Sequence, residues 1–321
     1  MSWLDFIIIG TQKGGTTSLS VNLPKHPEIS GDNRNNPTES EGHYFDRDIF
    51  FNNNKPCKIS EVSKKEIKFF VETCPILFKN INTVITKYGD KSTLFLYKCR
   101  LFFSINKIPE STLLNTSFEE VLHMERLCGN ILVGDKTPLL MVDRRYIERI
   151  YNCFPHVKLI MSLRDPIARA YSQWKMMCSN GSETRTFNKC IRDEIARLES
   201  HAETPKNDRL FVYRGLYDKQ LEVIYELFDP KKVLVIWAEH MKQDMKRTYS
   251  KIFDFLGVAK VDIDFEYDVN VSVGKPKCNV PISPSLMKHM KQFYGTRNNV
   301  PSTESGGYRT RKRLTQKRYK N

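Results

Sequence analysis

A short strand that ends in a glycine-rich turn constrains this chain more than any other feature. Residues 6–19 read FIIIGTQKGGTTSL. The β-branched run Phe6–Ile9 is typical of a buried parallel strand, and a helix is predicted from Thr16 to about Leu23. Glycines between a strand and a helix let the backbone approach an anion, and Lys13 adds a full positive charge. This stretch therefore predicts an anion site of the phosphate-binding type.

The turn departs from the nucleotide-triphosphate loop G-x-x-x-x-G-K-[ST] at the lysine. When the pattern starts at Gly10, its second glycine is Gly15, but the lysine stands earlier, at position 13. A nucleotide kinase is thus an alternative whose most diagnostic residue is missing. The predicted anion-binding residues of the turn are Lys13, Gly14, Gly15, Thr16 and Thr17.

The positive charge of the chain is divided between its body and its C-terminal tail. The formal net charge is +14, from 51 basic and 37 acidic residues. Residues 296–321 contain eight Lys or Arg and one acid, Glu304, so the body is also near +7. A basic body suits an anionic ligand. The tail is predicted to be disordered, and its role is predicted to be polyanion binding, nuclear targeting or none. A non-enzymatic polyanion or nucleic-acid binder is the second alternative.

The cysteines and the apolar runs predict the environment of the protein. The eight cysteines include no C-x-x-C pair, so neither a zinc site nor any other metal is expected, and the thiols are predicted to be mostly reduced. No run approaches the roughly 18 apolar residues of a membrane span. The sequence as written predicts a cytoplasmic protein. The Golgi lumen is the alternative if an N-terminal anchor has been removed. The basic tail also leaves nuclear targeting as an open alternative.

Strands and helices alternate along the chain. Strands are predicted within 130–138, 156–166 and 231–241, and helices within 61–73, 117–128, 166–178, 186–200, 215–228 and 244–258. This alternation predicts a central parallel sheet covered by helices on both faces. Ligands of such sheets bind at the carboxyl ends of the strands, where we expect the motifs of this chain to meet.

A second anion motif lies in residues 162–175, SLRDPIARAYSQWK. Arg164 is predicted at a strand end, and Ser172 lies about two turns along the helix that begins at Pro166, so the two could flank one anion. Arginine binds phosphate with a planar, bidentate fork. Arg169 is expected to pair with an acid or to share the anion. Taken alone, an arginine at a strand end is more often part of a structural ion pair.

Together the two motifs resemble those of sulfotransferases that use 3′-phosphoadenosine 5′-phosphosulfate (PAPS). Residues 13–17 resemble the 5′-phosphosulfate loop of that family, and 162–175 resembles its 3′-phosphate motif, R-x-x-x-x-R-x-x-S. SEGHYFD (40–46) looks like the E-x-H-F-F-D stretch of heparan sulfate and related glycosaminoglycan (carbohydrate) sulfotransferases. GDKTPLL (134–140) and the segment 283–299 are similar to further parts of that branch.

The resemblance implies an α/β fold, a P-loop-like three-layer α/β/α architecture with a central parallel β-sheet. It implies a sulfotransferase domain over 1–295, with 47–130 as a variable acceptor-side region, followed by the tail 296–321. The expected reaction transfers a sulfuryl group from PAPS, without a metal, to a hydroxyl or amino group of an acceptor, expected to be a carbohydrate. No specific nucleic-acid partner is implied, and the oligomeric state is not predicted.

The resemblance also implies roles for individual residues. Glu41 occupies the position of the general base, and His43 would orient the acceptor or Glu41. Lys13 would balance charge on the leaving phosphate, and Lys136 would lie near the sulfate and the acceptor.

The C-terminal region is less well matched. VGKPK (273–277) is the nearest text to a nucleotide-contacting segment, which makes Gly274 and Lys275 candidates. The family members that this chain resembles carry a disulfide in this region. Because only Cys278 is present there, that bridge is expected to be absent.

Overall fold

A four-stranded parallel sheet forms the centre of the computed structural model of this chain. The structure describes residues 3–30, 43–63, 65, 67, 80–102, 117–124, 128–201, 209–266, 278 and 280–298. The strands are β1 (Phe6–Gly10), β2 (Phe51–Asn52), β3 (Lys55–Pro56), β4 (Gly134–Lys136), β5 (Lys158–Leu163) and β6 (Val233–Trp237). The sheet has the order β4-β1-β5-β6, and β2 and β3 pair separately as an antiparallel hairpin.

Helices alternate with the strands of the central sheet along the chain. They are α1 (Thr16–Asn22), α2 (Ile81–Tyr88), α3 (Ser92–Phe102), α4 (Phe118–Val121), α5 (Arg144–Cys153), α6 (Pro166–Ser179), α7 (Phe187–Glu199), α8 (Tyr217–Leu227), α9 (Ala238–Gln243), α10 (Met245–Leu256) and α11 (Pro284–Gly295). None of the helices in the described part of the chain is long and apolar enough to cross a membrane.

Alternate side chains of β1 divide the core between the two faces of the sheet. Ile7 and Ile9 pack in a cluster with residues of α5 and α8. Phe6 and Ile8 pack in another cluster, with residues of α1 and α10. Because successive side chains of a strand point to opposite faces, helices cover the sheet on both sides. The predicted three-layer α/β/α architecture with a parallel sheet is confirmed.

Several local predictions need correction. The helix predicted over 117–128 begins with a Ser117–Glu120 capping box but ends at Val121. The strand predicted over 231–241 ends at Trp237, and α9 begins at the next residue, Ala238. Helix α3 was not predicted because nearly all of its side chains are buried, so it lacks the polar face by which an amphipathic helix is recognised. Most of the helix predicted over 61–73 lies outside the described residues.

A disulfide joins Cys178, near the end of α6, to Cys278, which precedes α11. The expectation that Cys278 has no disulfide partner is therefore wrong. Its partner lies 100 positions earlier in the chain, and the two come together because both belong to the core cluster shared by α6, α7 and α11. Of the other cysteines that the structure describes, Cys57, Cys153 and Cys190 are free thiols.

Replacing Cys178 by Ala should lower the free energy of unfolding by about 2–5 kcal/mol, because the bridge restricts a long loop of the unfolded chain. Denaturant unfolding with and without reductant measures this effect. Replacing the free, half-buried Cys153 by Ala is the control and should leave the response to reductant unchanged. A wild-type protein whose unfolding midpoint does not respond to reductant would contradict the prediction.

Candidate active site

The two anion motifs meet at the carboxyl edge of the sheet, although they lie 151 positions apart in the chain. The backbone N–H of Thr11 donates to the carbonyl of Ser162 at 2.8 Å. The Ser162 hydroxyl donates in turn to the carbonyl of Gly14 at 2.5 Å. Arg164 Nη1 donates to the carbonyl of Lys13 at 3.4 Å. These contacts join the turn after β1 to the end of β5.

The turn after β1 requires glycine because it lies against the backbone of β5. A Cβ atom on Gly14 would lie 2.3 Å from the Ser162 carbonyl oxygen and 2.9 Å from that of Thr11. Gly15, at the start of α1, has a φ of 89°, in the left-handed region that favours glycine. Lys13 also adopts a positive φ, of 67°. The predicted glycine turn is thus present as a tightly packed backbone loop.

Lys13 and Arg164 are two half-buried cations that lie side by side. Burial and the neighbouring charge of Arg164 hold the pKa of Lys13 below its ordinary value. Within the described ranges, neither side chain has a carboxylate at ion-pair distance. Buried charges in proteins are normally paired, so this arrangement favours the binding of an anion.

The other members of the second motif occupy different environments. Ser172 is half-buried on α6, and its hydroxyl makes no hydrogen bond to another described residue. Arg169 is fully buried and does not face the turn, because it donates to Gln173 Oε1 and to the carbonyl of Phe211. It therefore holds the protein together and makes no ion pair with a described acid.

Tyr217 holds Arg164 in place, a role that the sequence analysis did not identify. Its hydroxyl, near the start of α8, donates to the Arg164 carbonyl at 2.8 Å. Burial raises the pKa of Tyr217 above its ordinary value, so the hydroxyl remains a donor at neutral pH. The strand end that carries Arg164 is thereby tied to a helix that packs on the sheet.

Lys136 lies at the end of β4, paired in register with Ile8 of β1. It is buried, next to the buried carboxylate of Asp135. Asp135 accepts hydrogen bonds from the Tyr97 hydroxyl at 2.8 Å and from the backbone N–H of Lys136 at 2.7 Å. This aspartate lies within GDKTPLL, and the sequence alone predicts no role for it. Here it fixes the backbone that carries Lys136.

His43 lies beside the end of β4. Its backbone N–H donates to Thr137 Oγ1 at 3.3 Å, and its Nδ1 lies 2.8 Å from Asp46 Oδ2. The next residue, Tyr44, stacks on Tyr97 with ring centroids 4.7 Å apart. The segment that follows position 42 is thus held at the same edge of the sheet as Lys136.

Three predicted site residues lie outside the described residues: Glu41, Gly274 and Lys275. Positions 299–321 of the predicted tail also lie outside them. Within the described part of the chain, no three His, Cys, Asp or Glu side chains converge as a metal site would require.

Comparison with known proteins identifies the family of the chain. The family model described as "Sulfotransferase family" matches residues 5–262. This chain belongs to the sulfotransferase family. The predicted family resemblance is therefore confirmed.

The curated relatives are carbohydrate sulfotransferases of low identity. Human heparan sulfate glucosamine 3-O-sulfotransferase 3B1 is 26% identical over 154 residues, 48% of this chain and 38% of that protein. Human heparan sulfate glucosamine 3-O-sulfotransferase 6 is 27% identical over 53% of this chain and 54% of its own length. Mouse carbohydrate sulfotransferase 15 is 26% identical over 45% of this chain and 29% of its own length. The match thus spans about half or less of each relative.

A solved sulfotransferase from Alicyclobacillus acidocaldarius has the same fold over most of both chains. The superposition covers 92% of this chain and 93% of that one, with a TM-score of 0.55 and 19% identity. This similarity supports the P-loop-like fold.

Replacing Gly14 by Ala should lower the free energy of unfolding by about 1–3 kcal/mol, as overpacking does, because the added methyl group meets backbone atoms of β5. Denaturant unfolding measures this loss. Gly295→Ala is the matched control, since a Cβ there has no neighbour within 4 Å. Equal stability of the two variants would contradict the tight approach of the turn to β5.

Proposed function

We propose that this protein transfers a sulfuryl group from PAPS to a hydroxyl or amino group of an acceptor, with carbohydrate as the favoured acceptor class. The observation that carries the proposal is the pair of half-buried cations, Lys13 and Arg164, joined across the edge of the sheet without a described acid partner. Membership of the sulfotransferase family supports sulfuryl transfer over a nucleotide kinase or a non-enzymatic polyanion binder. The names of the curated relatives support a carbohydrate acceptor.

The residues present suit a nucleotide with anionic groups at two positions. The turn from Lys13 to Thr17 would hold the 5′-phosphosulfate, through backbone N–H groups and the lysine charge. Arg164 and Ser172 would hold the 3′-phosphate, with a guanidinium that has no described acid at ion-pair distance and with a hydroxyl that makes no hydrogen bond to another described residue. Gly274 and Lys275 are proposed to contact the nucleotide on the grounds of sequence alone.

The proposed roles in transfer follow from charge and position. As the acceptor oxygen or nitrogen bonds to sulfur, the bond from sulfur to the phosphate oxygen breaks, and Lys13 stabilises the negative charge left on that oxygen. Lys136 would lie near the sulfuryl oxygens. Glu41 would take the acceptor proton as general base. His43, whose ring Asp46 orients, is proposed to position the acceptor or the base.

The disulfide favours one of the two predicted compartments. Structural disulfides persist in oxidising compartments and are rare in the cytosol. The Cys178–Cys278 bridge therefore supports the Golgi lumen over the cytoplasm as the proposed location.

Replacing Arg164 by Ala should remove most of the preference for 3′-phosphoadenosine 5′-phosphate over adenosine 5′-phosphate, which lacks the 3′ group. A charge-assisted hydrogen bond contributes about 1.5–3 kcal/mol, so the affinity for the 3′-phosphorylated nucleotide should fall about 10- to 100-fold. Calorimetry measures both affinities. Arg192→Ala, at an exposed position of α7, is the control. Equal affinity of the wild type for the two nucleotides would reject the assignment of Arg164 and Ser172.

Replacing Glu41 by Gln should lower kcat by about 10²- to 10⁴-fold, the usual contribution of a general base, because the amide cannot accept the proton. Transfer of labelled sulfate from PAPS to a panel of glycans, phenols and peptides measures kcat and tests the proposed activity itself. The affinity for 3′-phosphoadenosine 5′-phosphate should change little. Glu222→Gln, at an exposed position of α8, is the control.

The outcome for Glu41→Gln separates three roles. Near-normal turnover would reject Glu41 as the base and make His43 the next candidate. Loss of nucleotide binding would assign Glu41 a structural role instead. Absence of transfer by the wild type to every member of the panel would count against the proposed acceptor classes.

A further inference from the structure

Residues 211–215 form a turn that the protein holds from several sides. Glu194, buried on α7, accepts the backbone N–H groups of Val212 at 2.9 Å and Tyr213 at 2.8 Å. Three side chains donate to carbonyls of the turn: Arg169 to Phe211, Tyr294 to Val212 and Asn298 to Gly215. The position of this turn is therefore set by the protein itself.

Arg214 extends from this turn to the residue that precedes Lys13. Its Nη1 donates to the side-chain oxygen of Gln12. Because arginine can only donate, the Gln12 amide must direct its oxygen to Arg214, which leaves its NH₂ group to donate elsewhere. Gln12, Lys13 and Arg214 are all half-buried.

The charge of Arg214 is compensated only in part, by the nearby carboxylate of Glu194. Its Nε is buried without a hydrogen-bond partner, and it has no carboxylate at ion-pair distance among the residues that the structure describes. Burial, together with the neighbouring charge of Arg169, lowers the pKa of Arg214 to about 10. A half-buried cation with one hydrogen bond and a buried, unpartnered Nε–H is costly for the folded protein.

A structural arginine of the same protein provides the contrast. Arg149, buried on α5, uses all three nitrogens on the segment that contains β2 and β3. It donates from Nε to Asn54, from Nη1 to the Phe45 carbonyl and from Nη2 to Asp48. Arg214 has one such bond, to a neutral side chain. Packing alone therefore accounts for Arg149 and leaves Arg214 unexplained.

We propose that Arg214 is a third cation of the anion site, held beside Lys13 by Gln12, and that it binds a sulfo or carboxylate oxyanion. This proposal rests on the proposed function, in which such an oxyanion has two sources. One is the sulfuryl group in transfer, and the other is an anionic substituent of a carbohydrate acceptor. In both cases Arg214 determines specificity through the charge of its guanidinium and the N–H groups that do not bond to Gln12.

The test compares Arg214→Gln with wild type and with Arg192→Gln, which removes an exposed arginine. Arg214→Gln should lower kcat/KM for transfer from PAPS by about 10- to 100-fold, the loss of one charge-assisted hydrogen bond. Its affinity for 3′-phosphoadenosine 5′-phosphate and its melting temperature should stay near those of the control. Arg214→Lys should restore part of the activity, since it retains the charge.

Two acceptors distinguish the sources of the oxyanion. An N-sulfated heparan oligosaccharide is compared with its desulfated, carboxyl-reduced counterpart of equal length. A loss confined to the sulfated acceptor assigns Arg214 to the acceptor, and an equal loss with both assigns it to the sulfuryl group.

The double variant of Gln12→Ala and Arg214→Gln tests whether the two side chains act together. Its loss of activity should be smaller than the sum of the two single losses, expressed as free energies.

A binding measurement separates this inference from the proposed function. Stabilisation by inorganic sulfate at low ionic strength should be weaker in Arg214→Gln than in Arg192→Gln. Equal stabilisation by sulfate, or an active Arg214→Gln enzyme with unchanged kcat/KM, overturns the inference. So does a joint loss of melting temperature and nucleotide affinity, which marks a purely structural arginine. A wild type that binds sulfate through Arg214 but transfers no sulfuryl group overturns only the proposed function.

Discussion

The close approach of Gly14 to the end of β5 is the contact on which the rest of the site depends. The Ser162 hydroxyl and carbonyl bond to the turn after β1, and a side chain at position 14 would collide with that strand. Because the turn lies flat against β5, Lys13 comes next to Arg164. Without this backbone packing, the two cations would be separate surface charges, screened by solvent.

The like charges gathered at this edge oppose folding, and the surrounding structure offsets that cost. Tyr217 bonds to the backbone of Arg164, and Asp135 bonds to that of Lys136. Glu194 bonds to the backbone beside Arg214. In each case a described partner fixes the main chain that carries the charged residue. Such preorganised charge is the form of stabilisation that suits a reaction in which negative charge moves between oxygens.

The C-terminal part of the chain is attached to the same framework. Helix α11 packs with α6 and α7 in a core cluster of its own, and the Cys178–Cys278 bridge lies within that cluster. Tyr294 of α11 bonds to the carbonyl of Val212, in the turn that carries Arg214. Residues from opposite ends of the chain therefore support one edge of the sheet.

Features that depend on neighbouring residues could be predicted from the sequence. Short segments encode the β1–turn–α1 unit, the junction between β5 and α6, and the family motifs at Lys13, Arg164 and Lys136. Glycines, prolines and apolar runs act on the backbone within a few residues, so such segments can be recognised from the sequence. The α/β layering followed from the alternation of such segments.

Contacts between distant residues could not be predicted in this way, because they depend on how the whole chain packs. The partner of Cys278 is 100 positions away, and Arg214 reaches Gln12 across 202 positions, so neither pair leaves a local pattern. Helix α3 was hidden because burial on all sides removes the polar face that reveals a helix. Arg169 and Arg164 lie five positions apart in one motif, yet one is buried in the core and the other faces the site. Both residues are arginines of the same short motif, so the sequence does not distinguish them. Their different environments result from packing alone.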